Sequence, residues 1–221
     1  MQSDKVEGST LTDVADLRRV YRMPAKTVLA KSVPRIDPAA AGFIALSPLV
    51  IIATGDGTSI DASPRGGTPG FVRVLDTTRV AFGDLTGNNR LDSFSNLVQH
   101  PAIGMIFFVP GTEELLRVNG TARLSTDPEL RQRCEIDGRV PNVAVEVTVQ
   151  ECYVHCGAAL RRSSIWDATT WPAERARPSA GRILTENLEL DHALAPKIDA
   201  DLQEYYRNDV WNVGGEADGQ A

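Results

Sequence analysis

After Pro48 the apolar residues stop following a helical spacing and gather into short runs. "LVIIATG", "SIDASP", "GFVRVLD", "RVAFGD", "AIGMIFFVP", "ELLRVNGTARLS" and "NVAVEVTVQECYVHC" are rich in Val, Ile, Phe and Thr and are divided by Gly, Asp, Asn and Pro. That spacing predicts a mostly antiparallel sheet closed into a small barrel, not alternating strand and helix units. Two helices interrupt it. "NNRLDSFSNLVQHP" puts Leu91, Phe94, Leu97 and Val98 on one face and stops at Pro101. "TDPELRQRCEIDG" opens with a Thr126-Asp127-Pro128 cap signal.

Upstream the period is helical. Leu11, Val14, Leu17, Val20 and Tyr21 recur every three or four residues, with Thr10 or Thr12 as cap and Pro24 as the break. A connector follows, then a helix from Asp37 or Pro38 to near Ser47-Pro48. From Ile183, "ENLELDHALAPKIDADLQEYYRNDVW" predicts a helical appendage docked by Tyr205, Tyr206 and Trp211. "NVGGEADGQA" reads as a frayed tail. The expected organisation is one domain over 1–221: a helical lead at 10–47, a barrel core at about 48–170 and a helical appendage at about 183–212.

Composition narrows the classes. With 221 residues, 42% hydrophobic and 24% charged, the chain can bury a sizeable core. "FIALSPLVIIATG" is too short for a membrane helix and is broken by Pro48, so no membrane association is expected. "MQSDKVEGST" lacks the basic start and apolar stretch of a secretory signal, and a cytoplasmic location is expected. Cys134, Cys152 and Cys156 have no C-x-x-C spacing, which argues against a disulfide framework. Cys152, His155 and Cys156 are too few local ligands for zinc, and no metal is expected. A net charge of -6 disfavours general nucleic-acid binding. Arginines clustered inside an acidic chain point instead to one specific anionic ligand.

Four segments offer donors that packing does not require. In "IDASPRGG", strand alternation sends Ser63 and Arg65 to one face, a hydroxyl beside a guanidinium, which suits a phosphate. In "GDLTGNNRLDSFSNL", Gly87, Asn88 and Asn89 precede Arg90 at a helix start, where free N–H groups attract an anion. "LLRVNGTA" puts Arg117 and Asn119 on one strand face, and "HCGAALRRSSIW" carries Arg161, Arg162, Ser163 and Trp166. Taken singly, each has an ordinary reading as a glycine turn, a capped helix or a solvated sheet face. Together, in this order, they make an anion cradle plus an aromatic.

The ordered motifs Ser63 to Val72 ("SPRGGTPGFV"), Gly87 to Asn96 ("GNNRLDSFSN"), Leu116 to Ala122 ("LRVNGTA") and His155 to Trp166 ("HCGAALRRSSIW") resemble the pyridoxamine 5'-phosphate oxidase-related flavoproteins. The resemblance covers roughly Tyr21 to Trp171. It implies an FMN-binding split β-barrel, mainly β with flanking helices and Greek-key-like, working as a homodimer with FMN at the subunit interface. By position it implies that Ser63, Arg65 and Arg90 hold the phosphate, helped by Asn88 and Asn89, that Gly66 is a further cofactor-binding residue, and that Gly83 and Asp84 lie along the isoalloxazine. Arg117, Arg162, Ser163 and Trp166 would face the cofactor, in part from the other subunit. Ala158 stands where many relatives carry lysine, and no arginine-rich motif lies near Trp211, which argues against vitamin B6 phosphate as substrate. His155 and Cys156 read as structural, a satisfied histidine and a small buried thiol.

The implied function is an FMN-dependent oxidoreductase acting on a small molecule, with NADH or NADPH as possible partner. FMN carries its own redox chemistry, consistent with the lack of a Ser-His-Asp or paired-carboxylate signal. The apolar "GMIFFV", Gly104 to Val109, supplies barrel core or interface area. The alternatives are a flavin-binding or sensing module without turnover, or a split barrel holding deazaflavin or haem.

Overall fold

A computed structural model describes residues 10–85 and 87–212, so the tail at 213–221 and nearly all of "MQSDKVEGST" lie outside the described residues. Seven strands form one antiparallel sheet: β1 (Leu49–Gly55), β2 (Ile60–Gly66), β3 (Arg73–Asp76), β4 (Arg79–Gly83), β5 (Ala102–Phe108), β6 (Leu115–Ser125) and β7 (Ala144–His155). Their spatial order is β2-β1-β5-β6-β7-β4-β3. Each predicted β run contributes one of them.

Local chemistry fixes the turns. Between β1 and β2 the Asp56 carboxylate accepts hydrogen bonds from the backbone N–H and hydroxyl groups of Thr58 and Ser59, while Gly57 takes a φ of +96°. Between β3 and β4, Asp76 does the same for Thr78. The long β6–β7 pair shifts register at Asn119/Gly120, where a Cβ on Gly120 would run into the Thr148 carbonyl; a bulge there bends the sheet.

One apolar cluster takes residues from both ends of the sheet order, including Val50 and Ile52 of β1, Val80 and Phe82 of β4, and Val145 and Val147 of β7. Helices α3 (Pro38–Leu46) and α4 (Asp92–Gln99) add Ile44, Phe94 and Leu97 to it. Four strands separate β2 from β4 in the sheet. In a flat sheet those strands would stand ~24 Å apart. Yet Arg65 of β2 reaches Asp84, one residue past β4, at 3.2 Å. The sheet therefore curls on itself, and among the described residues no ladder joins its edges β2 and β3. The result is a barrel with an open seam.

The helical regions depart from expectation in detail. Helix α1 (Val14–Val20) is capped by Asp13 and not by Thr10 or Thr12; Asp13 accepts from the Asp16 N–H at 2.7 Å. Its predicted apolar stripe is exposed at Leu11, Val14, Leu17, Val20 and Tyr21, because nothing among the described residues packs beneath it. A short helix α2 (Lys26–Ala30) occupies the predicted connector. On α4 only Phe94 and Leu97 of the predicted face are buried, while Leu91 sits at the cap with φ +58° and Val98 is exposed. Helix α5 (Pro128–Arg133) carries the Asp127 cap, and α6 (Ala158–Ser163) follows β7. The appendage is two helices, α7 (Ala180–Asn187) and α8 (Ala195–Asn208), parted by a turn with Glu189 at φ +52°. Among the described residues no helix is long and apolar enough to cross a membrane.

Candidate functional site

Strand β2 alternates in burial, so Asp61, Ser63 and Arg65 share a half-buried face and Ile60, Ala62, Pro64 and Gly66 point the other way. Arg65 lies across the seam. Its Nη1 donates to Asp84 Oδ1 at 3.2 Å, and its guanidinium stands 5.5 Å from the Phe94 ring centre. Its Nε is buried without a hydrogen-bond partner. An unmet buried donor costs about 1–3 kcal/mol, so this nitrogen is a natural place for a ligand oxygen. Burial raises the pKa of Asp84, and the Arg65 charge works against that rise.

The segment after β4 wraps over this pair. Asn89 and Leu91 both take left-handed φ values, +56° and +58°, and the Asn88 side-chain oxygen accepts from the Arg90 N–H at 3.1 Å. Arg90 extends into solvent, its Nε donating to Asp92 at 2.9 Å. Asp61 anchors the start of α4 by accepting from the Ser93 hydroxyl at 2.9 Å, and Asn96 donates to Thr54 on β1. The turn is thus held at both ends while its middle faces the seam.

Two adjoining cavities result. The smaller, about 170 Å³, is lined by Ser63, Arg65, Asp84, Asn88, Asn89 and Arg90 among others. The larger, about 850 Å³, shares Ser63, Arg65, Leu85 and Asn88 with it and adds Gly66, Gly67, Gly83 and a wall of Phe71, Tyr205, Val210 and Trp211. The walls thus join a polar recess, in which Arg65 and Arg90 stand among Asp61, Asp84 and Asp92, to an aromatic-walled chamber within the size range of small-molecule sites. The recess offers guanidinium, hydroxyl and amide donors side by side.

The structure therefore brings together Ser63, Arg65, Gly66, Gly83, Asp84, Asn88, Asn89 and Arg90. Arg117, Arg162, Ser163 and Trp166 line neither cavity. Arg117, on β6 between Ile106 and Tyr153, places its guanidinium 5.4 Å from the Tyr153 ring centre, and its Nε is also buried without a partner. Arg162 and Ser163 are exposed on α6, with the Ser163 hydroxyl turned to the Leu160 carbonyl. Trp166 donates through Nε1 to the Thr112 carbonyl at 2.9 Å. Cys156 is exposed and not buried as expected, since it falls one residue past β7; Cys134 and Cys152 are buried, and burial pushes both thiols up to about 11.

Two features escaped the sequence. The Arg65–Asp84 pair has a signal in retrospect, an acid placed directly after the apolar strand "RVAFG". Tyr205 and Trp211 are legible as docking aromatics, but their place beside Val210 on the cavity wall has no signal, because only tertiary folding brings residues so far from β2 to the seam.

The curled antiparallel sheet thus carries at its seam a polar recess that opens into an aromatic-walled chamber. The sequence profile of pyridoxamine 5'-phosphate oxidase matches residues 36–156, and the chain belongs to that family. No curated protein matches it. Solved structures similar to it include HupZ of Group A Streptococcus, at 17% identity and a TM-score of 0.44 over 54% of this chain and 93% of that one. A protein related to general stress protein 26 from Clostridium acetobutylicum is 13% identical, with a TM-score of 0.42 over 53% and 86% of the two chains. The general stress protein 26 of Bacillus anthracis is 13% identical, with a TM-score of 0.39 over 51% and 88%.

Proposed function

We propose that the protein is an FMN-dependent oxidoreductase acting on a small molecule, with NADH or NADPH as electron partner. The observation that carries this reading is the meeting of Ser63, Arg65 and the 87–90 turn in one recess that opens into an aromatic-walled chamber. Bound there, FMN would supply the hydride and electron chemistry, which the protein tunes through binding and orientation. Ser63 and Arg65 hold the phosphate, with the unmet Arg65 Nε as one donor. Asn88, Asn89 and Arg90 close the recess from the other side. Gly83 and Asp84 at the end of β4 lie beside the ring. Burial raises the pKa of Asp84 and the Arg65 charge opposes that rise, so an anion drawing on Arg65 would push it further up.

The same reading makes the protein a homodimer, with Arg117, Arg162, Ser163 and Trp166 offered to the site of the second copy. The unpartnered Arg117 Nε and the exposed side chains of α6 favour that role. Purified protein is expected to show a flavin spectrum and to release one FMN per chain. A haem Soret band, or a colourless protein that refuses added FMN, overturns the cofactor. Anaerobic NADH and NADPH then separate an enzyme from a binding module: bleaching of the flavin by either supports turnover, and reduction by neither supports the module.

A further inference from the structure

The matched family region ends at residue 156, yet the larger cavity takes part of its wall from Tyr205, Val210 and Trp211. These three belong to α8 and the turn that follows it. Helices α7 and α8 pack chiefly on each other, and within them only Gly181, Thr185 and Ala195 are buried. Ile183, Leu184, Leu188, Leu194 and Tyr206 stay exposed, so this arm has little apolar contact of its own with the barrel. The stretch from Ser164 to Ser179 that links it to the barrel is almost wholly exposed and contains only two short 3-10 turns. An arm so weakly seated nevertheless places its aromatic end across from Arg65, Gly67 and Phe71.

We infer that the C-terminal arm is part of the ligand site: Trp211, supported by Tyr205 and Val210, is a specificity-determining residue that covers the flat ring of the ligand whose phosphate Arg65 holds. The inference rests on the proposed function, since it concerns the same cavity. The chemistry divides along the chamber. The barrel side supplies charge and amides, which read a phosphate. The arm side supplies an apolar, π-rich surface, which reads a planar conjugated ring and is indifferent to the phosphate. A ligand that touches both sides joins the arm to the barrel and supplies the contact area that the arm lacks by itself.

The test compares two probes, FMN and riboflavin, which share the ring and differ in the phosphate. Flavin fluorescence titrations are run on the full chain, on Trp211→Ala and on Trp211→Phe. Trp211→Ala is expected to weaken FMN and riboflavin by the same factor, about 5- to 150-fold for loss of one stacked aromatic, and Trp211→Phe to recover most of it. Thermal unfolding without ligand should match wild type, because Trp211 lies outside both apolar clusters of the core. Wild-type affinity in Trp211→Ala for both probes overturns the inference and leaves the proposed function standing. Weakening for FMN alone also overturns it, because the ring would not be what Trp211 reads. A wild-type protein that binds neither probe overturns the inference and the proposed function together.

Discussion

Replacing Arg65 with alanine should remove two things at once, an anion contact and the neutralising partner of Asp84. Arg65 and Asp84 meet at 3.2 Å with side chains 26% and 15% exposed, so the pair is largely but not fully withdrawn from water. At an effective dielectric of about 20 two charges 4 Å apart attract by about 4 kcal/mol, and the cost of desolvating them offsets much of that. A net loss of about 2 kcal/mol at neutral pH follows. For a chain of this size that corresponds to a fall in Tm of about 4–8 °C.

The pH dependence carries the stronger signature. Burial raises the folded-state pKa of Asp84 above its unfolded value, so the folded protein binds more protons between those two values, and stability falls as pH rises through that window. Without Arg65 the Asp84 pKa rises further and the window widens upward. The Tm difference between wild type and Arg65→Ala should therefore be full at neutral pH and shrink as acid protonates Asp84. FMN titration of the same variant should show a loss of about 1.5–3 kcal/mol in binding, roughly 10- to 150-fold. A Tm difference that stays constant from about pH 4 to pH 7.5 would refute the Asp84 argument. FMN affinity within twofold of wild type would refute the phosphate assignment.

Asp84→Asn should tighten FMN binding at neutral pH by roughly 1 kcal/mol, about fivefold, and the advantage over wild type should vanish as pH falls and Asp84 itself becomes neutral; a ratio independent of pH counts against it. Gly83→Ala should cost about 1–3 kcal/mol in urea unfolding, because a Cβ there would stand 2.5 Å from the Pro141 ring and 3.1 Å from the Cys134 carbonyl; an unchanged midpoint would mean that β4 can shift freely. A thiol reagent at about pH 8 should label Cys156 rapidly and spare Cys134 and Cys152 until the protein is denatured, as their exposure and raised pKa values require. Rapid native labelling of a second thiol contradicts that burial.

The strands were legible because period and turn chemistry are local. "GDGTS" closes β1 onto β2 through Asp56, and the Asp127-Pro128 pair starts α5, without help from distant residues. The sharing of one face by Ser63 and Arg65 followed from strand geometry alone. What Arg65 touches did not, because its partner Asp84 is reached only when the sheet has curled through β1, β5, β6, β7 and β4. The stripe of α1 misled in the opposite direction. Leu11 to Tyr21 has the spacing of a buried face, but periodicity says only that a face is apolar, not that the same chain covers it. Residues of the arm were recognisable as docking aromatics, but their destination at the seam was a matter of tertiary folding.

Pro64, between the two predicted phosphate ligands, also bears on solubility. Strand β2 is an outer edge of the sheet, and such an edge normally offers a row of backbone donors and acceptors on which another strand can grow. Proline has no N–H, and a sheet tolerates it where the missing donor faces outward, so Pro64 interrupts that row at its middle. Facing Ile51 on β1, it leaves the inner ladder to its neighbours while blunting the outer one. The residue that separates Ser63 from Arg65 thereby helps keep the mouth of the site from being sealed by β3 or by a stray strand of another molecule, and removing it should favour aggregation before it harms the barrel.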